Sequence, residues 1–318
     1  MLGFHLYPEK GVFRLRQIAI MLALLFLLTA CQSTVIVKKE TIQNTTSANI
    51  SEALPVNETN ATSIVLSNIQ VFIPREGNLT VYFLDVQGSS TILQYRDKSV
   101  LIDSGFESDS PKVLKSVRDL GIERLDYIFA TNTQPKNIGG MPYLIMRTEP
   151  KNVVENGIPS TLKSYKAYKE LYNNTIVVTQ DTLFSLREIS VKAIVIYDDG
   201  NGFSTNLDDN SIVTMARFGN SNFLFMSDCG LDCEERLKNT EVSADILKIS
   251  NSCNSTSLAF LQRVNPKVAI VSANIDFCPS IKDRFKFLDI PLYITSEVGD
   301  IYVTTDGLDY KIDYGKNG

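Results

Sequence analysis

The hydrophobic pattern between residues 78 and 310 alternates between two kinds of segment. Short apolar runs indicate strands at residues 81–86, 91–95, 99–102, 125–130, 175–179, 191–197, 211–217, 222–226, 268–272, 292–294 and 301–304. Apolar positions spaced three or four apart indicate helices at residues 110–120, 160–172 and 256–264. Strands that alternate with helices in this way are typical of an α/β or α+β domain.

Capping residues mark the predicted ends of the first two helices. Ser110 and Pro111 are typical of an N-cap and a first helical residue, and Gly121 follows the last apolar position. Ser160 is the predicted cap of the second helix. The stripe of tyrosine and leucine side chains on that helix is typical of packing rather than of a ligand site.

Residues 1–30 have the pattern of a signal peptide. Lys10, Arg14 and Arg16 precede an apolar run at residues 18–28 that is too short to span a bilayer comfortably. The sequence LTAC at residues 28–31 resembles a prokaryotic lipobox, so we expect cleavage before Cys31 and a lipid on that cysteine. An uncleaved membrane anchor is the alternative. Both hypotheses place the rest of the chain outside the membrane, at the cell surface.

Residues 31–67 show no apolar periodicity and are rich in Thr, Ser and Asn. Such a segment cannot bury enough apolar area to offset the entropy of ordering it, so we predict a flexible tether followed by a domain at residues 68–318. Seven Asn-x-Ser/Thr sequons are present, four in the tether and three in the domain. They begin at Asn44, Asn49, Asn57, Asn60, Asn78, Asn173 and Asn254. A lipobox with clustered sequons would fit an archaeal cell surface.

Composition excludes several kinds of chemistry from the mature chain. The single histidine, His5, lies in the segment that we expect to be removed. The mature chain then lacks the commonest metal ligand and the usual general base at neutral pH. Removal of residues 1–30 leaves 28 basic and 35 acidic residues, which changes the formal charge from −5 to −7. An acidic surface disfavours nucleic acid as a partner, because binding requires neutralised phosphates.

A series of short motifs runs through the domain. The segments read VYFLDVQGSS at residues 81–90, LIDSG at 101–105, LDYIFAT at 125–131, NIGGMP at 137–142, FLFMSD at 223–228 and DILKIS at 245–250. In this order they resemble FLDVGQGDS, LIDSG, the strand before the metal loop, HIGGLP, LLFTGD and the strand before HHGS. Those motifs belong to metallo-β-lactamase-fold domains of the ComEC competence type. The resemblance implies a four-layer αββα sandwich, with helices outside two packed sheets.

The metal ligands of that family are replaced in this sequence. The family's metal loop reads THPHADH and holds two zinc ions, whereas residues 131–137 read TNTQPKN. The HHGS motif becomes NSCN at residues 251–254, and the later His-Pro becomes Cys278-Pro279. Carboxamides are weak neutral donors that do not replace imidazole at zinc. Two acidic positions remain, namely Asp228 at the bridging position and Asp103 at the supporting one.

These departures predict a degenerate site without catalytic residues and without a resident metal. Its residues would be Asp103, Asn132, Gln134, Lys136, Asn137, Asp228 and Asn251. The interpretation that we prefer is a catalytically inactive surface module that binds a small-molecule or protein ligand. The first alternative is a phosphodiesterase-like hydrolase that uses zinc or another divalent metal at the two aspartates. The second is an accessory role in DNA uptake, which the ComEC resemblance implies but the acidic charge disfavours.

Four cysteines remain after Cys31, an even number in an oxidising compartment. We favour the pairs Cys229–Cys233 and Cys253–Cys278, of which the second closes the longer loop and is worth about 3 kcal/mol by loop entropy. A Cys229–Cys253 pair, four free thiols and a thiolate metal site are the alternatives. By register with the family, at least three of these cysteines would lie around the former metal site.

Lys136 carries a specific expectation about charge. It occupies the position of a lost acidic ligand, in a loop that would face Asp228. A partly buried carboxylate without its metals is costly unless a cation or hydrogen-bond donors replace them. We therefore predict that the Lys136 ammonium lies near Asp228, with Asn132, Asn137 or Asn251 donating the remaining hydrogen bonds. The alternative is a lysine that extends into solvent.

Overall fold

A computed structural model describes residues 77–196, 204, 206–250, 252–272 and 278–315. The signal peptide, Cys31, the tether and Asn251 lie outside the described residues and stay predictions. Fifteen strands are described, β1 to β15 in chain order: Leu79–Phe83, Thr91–Tyr95, Lys98–Ile102, Tyr127–Ala130, Asn152–Glu155, Ile176–Val177, Thr182–Leu186, Ile189–Val195, Ile212–Phe218, Ser221–Phe225, Ile246–Lys248, Val268–Val271, Leu292–Ile294, Asp300–Thr305 and Tyr310–Gly315.

Eight α-helices are described, α1 to α8 in chain order: Ser110–Asp119, Pro135–Ile138, Met141–Thr148, Lys163–Leu171, Leu231–Arg236, Leu258–Val264, Pro279–Phe287 and Thr295–Val298. Three short 3-10 turns cover Glu107–Asp109, Leu207–Asn210 and Leu237–Asn239. Within the described ranges, no helix is both long and apolar enough to cross a membrane.

The strands form two mixed sheets. The first has the order β15-β14-β1-β2-β3-β4-β5-β6, and the second has the order β13-β12-β11-β10-β9-β8-β7. Strands β3 to β6 are parallel to one another, and so are β10 to β13. The carboxyl ends of parallel strands share one edge of a sheet, where α/β proteins place their ligands. We call this edge the carboxyl end of each sheet.

An aromatic core fills the space between the two sheets. Phe83 in β1 stacks on Phe225 in β10 with ring centroids 6.1 Å apart, and Phe129 in β4 meets Phe184 in β7 at 5.2 Å. Two further apolar clusters cover the outer faces. One lies between the first sheet and α1, α3 and α4, and the other lies between the second sheet and α5, α6 and α7. The predicted four-layer αββα architecture is confirmed.

Several elements differ from the hydrophobic pattern. Helix α1 begins at Ser110 itself, and α4 begins at Lys163, with Ser160 accepting a hydrogen bond from the Leu162 amide instead of capping the helix. The pattern missed β5, β7, α3, α5 and α7. It also missed the short helices α2 and α8 and the last strand, β15. Strand β15 alternates between half-buried and exposed positions, as expected of a solvated edge strand.

Candidate functional site

Asp103 anchors a buried network at the carboxyl end of the first sheet. It follows β3 directly and is fully buried, with φ of 60° in the left-handed region that non-glycine residues avoid. Its carboxylate accepts the Thr131 amide at 3.0 Å, the Thr131 hydroxyl at 2.8 Å and Asn137 Nδ2 at 3.1 Å. These donors fix the carboxylate, but burial still raises the pKa of Asp103.

A second aspartate stands at the same edge of the other sheet. Asp228 follows β10 and is 2 % exposed. Lys136, in the short helix α2, places its Nζ 3.0 Å from Asp228 Oδ1, and its side chain is 22 % exposed. The predicted pairing of Lys136 with Asp228 is therefore confirmed. Lys136 lies in the segment after β4 of the first sheet, and Asp228 lies in the segment after β10 of the second sheet. The ion pair therefore links the two sheets.

The two predicted carboxamide donors that the structure describes do not donate hydrogen bonds to Asp228. Asn132 Nδ2 donates to the Leu207 carbonyl at 2.9 Å and to Ser211 Oγ at 3.0 Å, and Asn137 donates to Asp103. Asp228 Oδ2 is buried and accepts no hydrogen bond from the described residues. The prediction is therefore wrong for Asn132 and Asn137, because each amide donates to another acceptor. Asn251, the third predicted donor, lies outside the described residues.

Sequence reasoning missed a second cation, Lys248. It ends β11, is 5 % exposed, and donates from Nζ to Ser89 Oγ at 2.9 Å. Burial lowers the pKa of Lys248, while the charges of Asp103 and Asp228 oppose this shift. The signal in the sequence was a lysine between two apolar residues of a predicted buried strand, because such a residue requires a buried partner.

The formal charges of the two buried aspartates and the two lysines sum to zero. Asp103 and Asp228 bring two negative charges, and Lys136 and Lys248 bring two positive charges. Burial raises the pKa of Asp228 to about 6, although the neighbouring Lys136 charge acts in the opposite direction. Desolvation therefore exceeds the attraction of the ion pair. The buried carboxylates of the cluster are thus compensated by protein cations.

The raised pKa of Asp228 gives a testable pH dependence. Between about pH 3.8, its ordinary pKa, and pH 6, folded Asp228 holds a proton that the unfolded chain has released. Stability contributed by this group is therefore lost as the pH rises through that window. Relative to Asp228→Asn, the free energy of unfolding of the natural chain should fall by about 2 kcal/mol from pH 4.5 to 7.5 in urea titrations. A difference that increases with pH would mean that the carboxylate is held as an anion.

The remaining loop residues hydrogen-bond within the protein. The Gln134 side chain donates from Nε2 to the Asp208 carboxylate, and the Gln134 backbone amide donates to Asn132 Oδ1 at 3.0 Å. Thr131 also contacts Ser227 Oγ at 2.5 Å, and Ser227 has φ of 52°. The loop that follows β4 is thus closed by its own hydrogen bonds and by the segment at Leu207–Asn210.

Solved structures with this arrangement of sheets exist, although no protein-family model and no curated protein sequence matches the chain. The metallo-β-lactamase fold protein YhfI from Bacillus subtilis is similar over 72 % of this chain and 100 % of its own, with 11 % identity and a TM-score of 0.51. The chain has the metallo-β-lactamase fold. A putative metal-dependent hydrolase from Parabacteroides distasonis covers 69 % of this chain and 93 % of its own, with 14 % identity and a TM-score of 0.48.

The metallo-β-lactamase fold implies metal ions, so we tested whether this chain's residues fit them. Among the described residues, no group of three or more His, Cys, Asp or Glu side chains could hold a metal ion. Of the four loop positions, Asn132, Gln134 and Asn137 are engaged in hydrogen bonds inside the protein, and the Lys136 ammonium would repel a dication. The described residues do not fit a dinuclear zinc centre.

Two disulfides stabilise segments beside this metallo-β-lactamase-fold site. Cys229 pairs with Cys233 at the start of α5, and Cys253 pairs with Cys278 at the start of α7, with sequence separations of 4 and 25. These are the two favoured pairings. Cys229 directly follows Asp228, and the second disulfide joins the segment after β11 to the segment after β12. Disulfide cysteines do not supply thiolates, so these four residues do not form a metal site.

The longer disulfide loop should matter more for stability. Because loop entropy increases with loop length, Cys253→Ser with Cys278→Ser should cost about 3 kcal/mol of unfolding free energy, and Cys229→Ser with Cys233→Ser about 2 kcal/mol. Denaturant titrations of the two double variants check this order. The reverse order would mean that packing of Cys229 and Cys233, which are both fully buried, outweighs loop entropy.

Proposed function

We propose that the chain is a catalytically inactive metallo-β-lactamase-fold protein that acts as a binding module on the outer face of a membrane. A lipid on Cys31 would anchor it, and the motif register supports a ComEC-type origin. The observation that carries the proposal is the 3.0 Å ion pair between Lys136 and Asp228. A lysine that occupies a metal-ligand position, and neutralises a second one, removes the Lewis acid on which hydrolysis in this fold depends.

A cavity lined by residues of α1, α3 and α4 supports a binding role, although neither Lys136 nor Asp228 is among its lining residues. Its volume is about 780 Å3, within the range of small-molecule sites. Its lining includes Pro135 at the start of α2 and Gly139 directly after that helix, and Phe106, Tyr143 and Met146 are among the apolar lining residues. A partly apolar small molecule with polar groups at the loop would fit this lining. The acidic charge of the chain disfavours nucleic acid as a partner, because binding requires neutralised phosphates.

The test is a hydrolysis assay on the full chain. Phosphodiester and lactam substrates should stay intact with added zinc, manganese or chelator alike. A chelator-sensitive activity that Asp228→Asn abolishes would contradict the proposal. To test binding, a thermal-shift screen of small molecules should give hits that are lost in the cavity-filling variant Ala167→Trp. Hits that survive this substitution would place the ligand elsewhere.

One observation favours a second candidate, a hydrolase with an unusual metal site. Asp228 Oδ2 and Asn137 Oδ1 are both buried acceptors without a described hydrogen-bond donor. Carboxylate and carbonyl oxygens suit hard metals, so these two acceptors would be the ligands of a single oxygen-ligated cation. Against this, the Lys136 ammonium lies on the other oxygen of the same carboxylate. Metal-dependent turnover in the assay above would favour this candidate.

A further inference from the structure

The three sequons of the described domain share one structural property. Asn78, Asn173 and Asn254 are all exposed, and each lies outside the helices and strands. None of their side-chain amides takes part in a hydrogen bond among the described residues. By contrast, the buried site asparagines Asn132 and Asn137 do not belong to sequons. The sequons therefore coincide with asparagines whose Nδ2 is free for modification.

The sheet topology places two of these asparagines at one end of the molecule. Asn78 directly precedes β1, and the start of β1 pairs with the end of β2, next to the β2–β3 turn. Asn173 precedes β6. Because β3 to β6 are parallel, the starts of these strands and the β2–β3 turn share the amino edge of the first sheet. Asp103 and Asn132 follow the carboxyl ends of β3 and β4. Asn78 and Asn173 thus lie at the opposite end from the site.

We propose that Asn78 and Asn173 are N-glycosylated and that their glycans cover the amino end of the first sheet while leaving the site end free. The co-reactant would be a lipid-phosphate-linked oligosaccharide. Nδ2 of the asparagine forms a bond to the anomeric carbon of the first sugar and gives up one proton. The bond from that carbon to the phosphate oxygen breaks, and the lipid phosphate leaves with the electron pair. The Asn-x-Thr pattern is the acceptor signal for this transfer.

Asn254 differs from the other two in how tightly its backbone is held. Its carbonyl accepts the Leu231 amide at 3.0 Å, and its amide donates to Ser252 Oγ at 3.3 Å. Its neighbour Cys253 is fixed by the disulfide to Cys278. This segment follows β11 on the site side of the fold. We therefore expect Asn254 to stay unmodified, which keeps bulky sugars away from the site.

The experiment is peptide mapping by mass spectrometry of the full chain, purified from the membrane fraction of cells that naturally make it. Peptides that contain Asn78 and Asn173 should carry sugar masses in more than about half of the molecules, and the Asn254 peptide should have its unmodified mass. The chain offers a matched control at adjacent exposed positions. Asn173→Gln should remove the glycan, whereas Asn174→Gln leaves the sequon intact and should keep it.

Two outcomes would overturn the proposal. Unmodified Asn78 and Asn173 peptides would show that these asparagines are not acceptors, and a glycan on Asn254 would contradict the free site end. Glycosylation and the proposed function both require that the chain is exported, and they have no other requirement in common. The Cys31 peptide separates the two, because a lipid on Cys31 together with unmodified asparagines would leave export standing while the glycosylation fails.

Discussion

Replacing Lys136 by methionine should lower the free energy of unfolding by about 3 kcal/mol at pH 7.5, because breaking a buried pair leaves Asp228 as an uncompensated charge. Asp228 is almost completely buried and has no described donor on Oδ2, so its carboxylate depends on Lys136. At pH 5, below its pKa of about 6, Asp228 is mostly protonated and the loss should fall below about 1 kcal/mol. Urea titrations at the two pH values measure both effects.

A surface lysine provides the control for this experiment. Lys115 pairs with Asp119 on the exposed face of α1, with side chains that are 74 % and 59 % exposed. Lys115→Met should leave stability nearly unchanged at either pH, because an exposed ion pair contributes little. The double variant Lys136→Met with Asp228→Asn should recover most of the loss at pH 7.5, since the stranded charge is gone. Equal losses at pH 5 and 7.5 would contradict the ion-pair account.

Lys248→Met should be at least as costly, at about 3 to 5 kcal/mol near neutral pH. The substitution removes the only fully buried cation of the described cluster and leaves Asp103 and Asp228 with Lys136 alone. It also leaves Ser89 Oγ without its donor. We expect the remaining carboxylates to take up a proton, so the loss should decrease as the pH falls. Urea titrations from pH 5 to 8 measure this dependence.

The comparison for Lys248 is Lys238, an exposed lysine that pairs with Glu235 on the protein surface. Lys238→Met should be nearly neutral at every pH. If Lys248→Met were instead as mild as Lys238→Met, or even stabilising, the ammonium would contribute no net charge compensation. The methionine would then simply pack better than a buried amine, as apolar replacements of buried ion pairs sometimes do.

The pairing of Lys136 with Asp228 could be predicted because register and charge both pointed to it. A motif register placed the two residues at one site, and electrostatics required a cation near a carboxylate that had lost its metals. Lys248 could not be found in the same way. Its partners, Ser89 and the two aspartates, are far away in sequence, and a single lysine in a strand does not identify them. Only the packing of two sheets brings them together.

The hydrogen bonds of the carboxamides were also beyond sequence reasoning. A carboxamide can donate to any acceptor within reach, and Asn132 finds a backbone carbonyl at Leu207, from a segment without a recognisable motif. Elements with weak periodicity were missed for a related reason. Helix α3 follows two glycines and has Pro142 in its first turn, a pattern that is typical of a loop. Proline is nevertheless tolerated in the first turn of a helix, and Leu144 and Ile145 are buried on the inner face of α3.

The metal content of the full, untagged chain tests the central claim most directly. After expression with added zinc and removal of loosely bound ions, elemental analysis should find less than about 0.1 zinc per chain, because carboxamides and an ammonium stand where imidazole and carboxylate ligands are needed. The positive control restores the loop with Asn132→His, Gln134→His, Lys136→Asp and Asn137→His, and it should retain about one zinc. About one zinc per natural chain, lost in Asp228→Asn, would contradict the account.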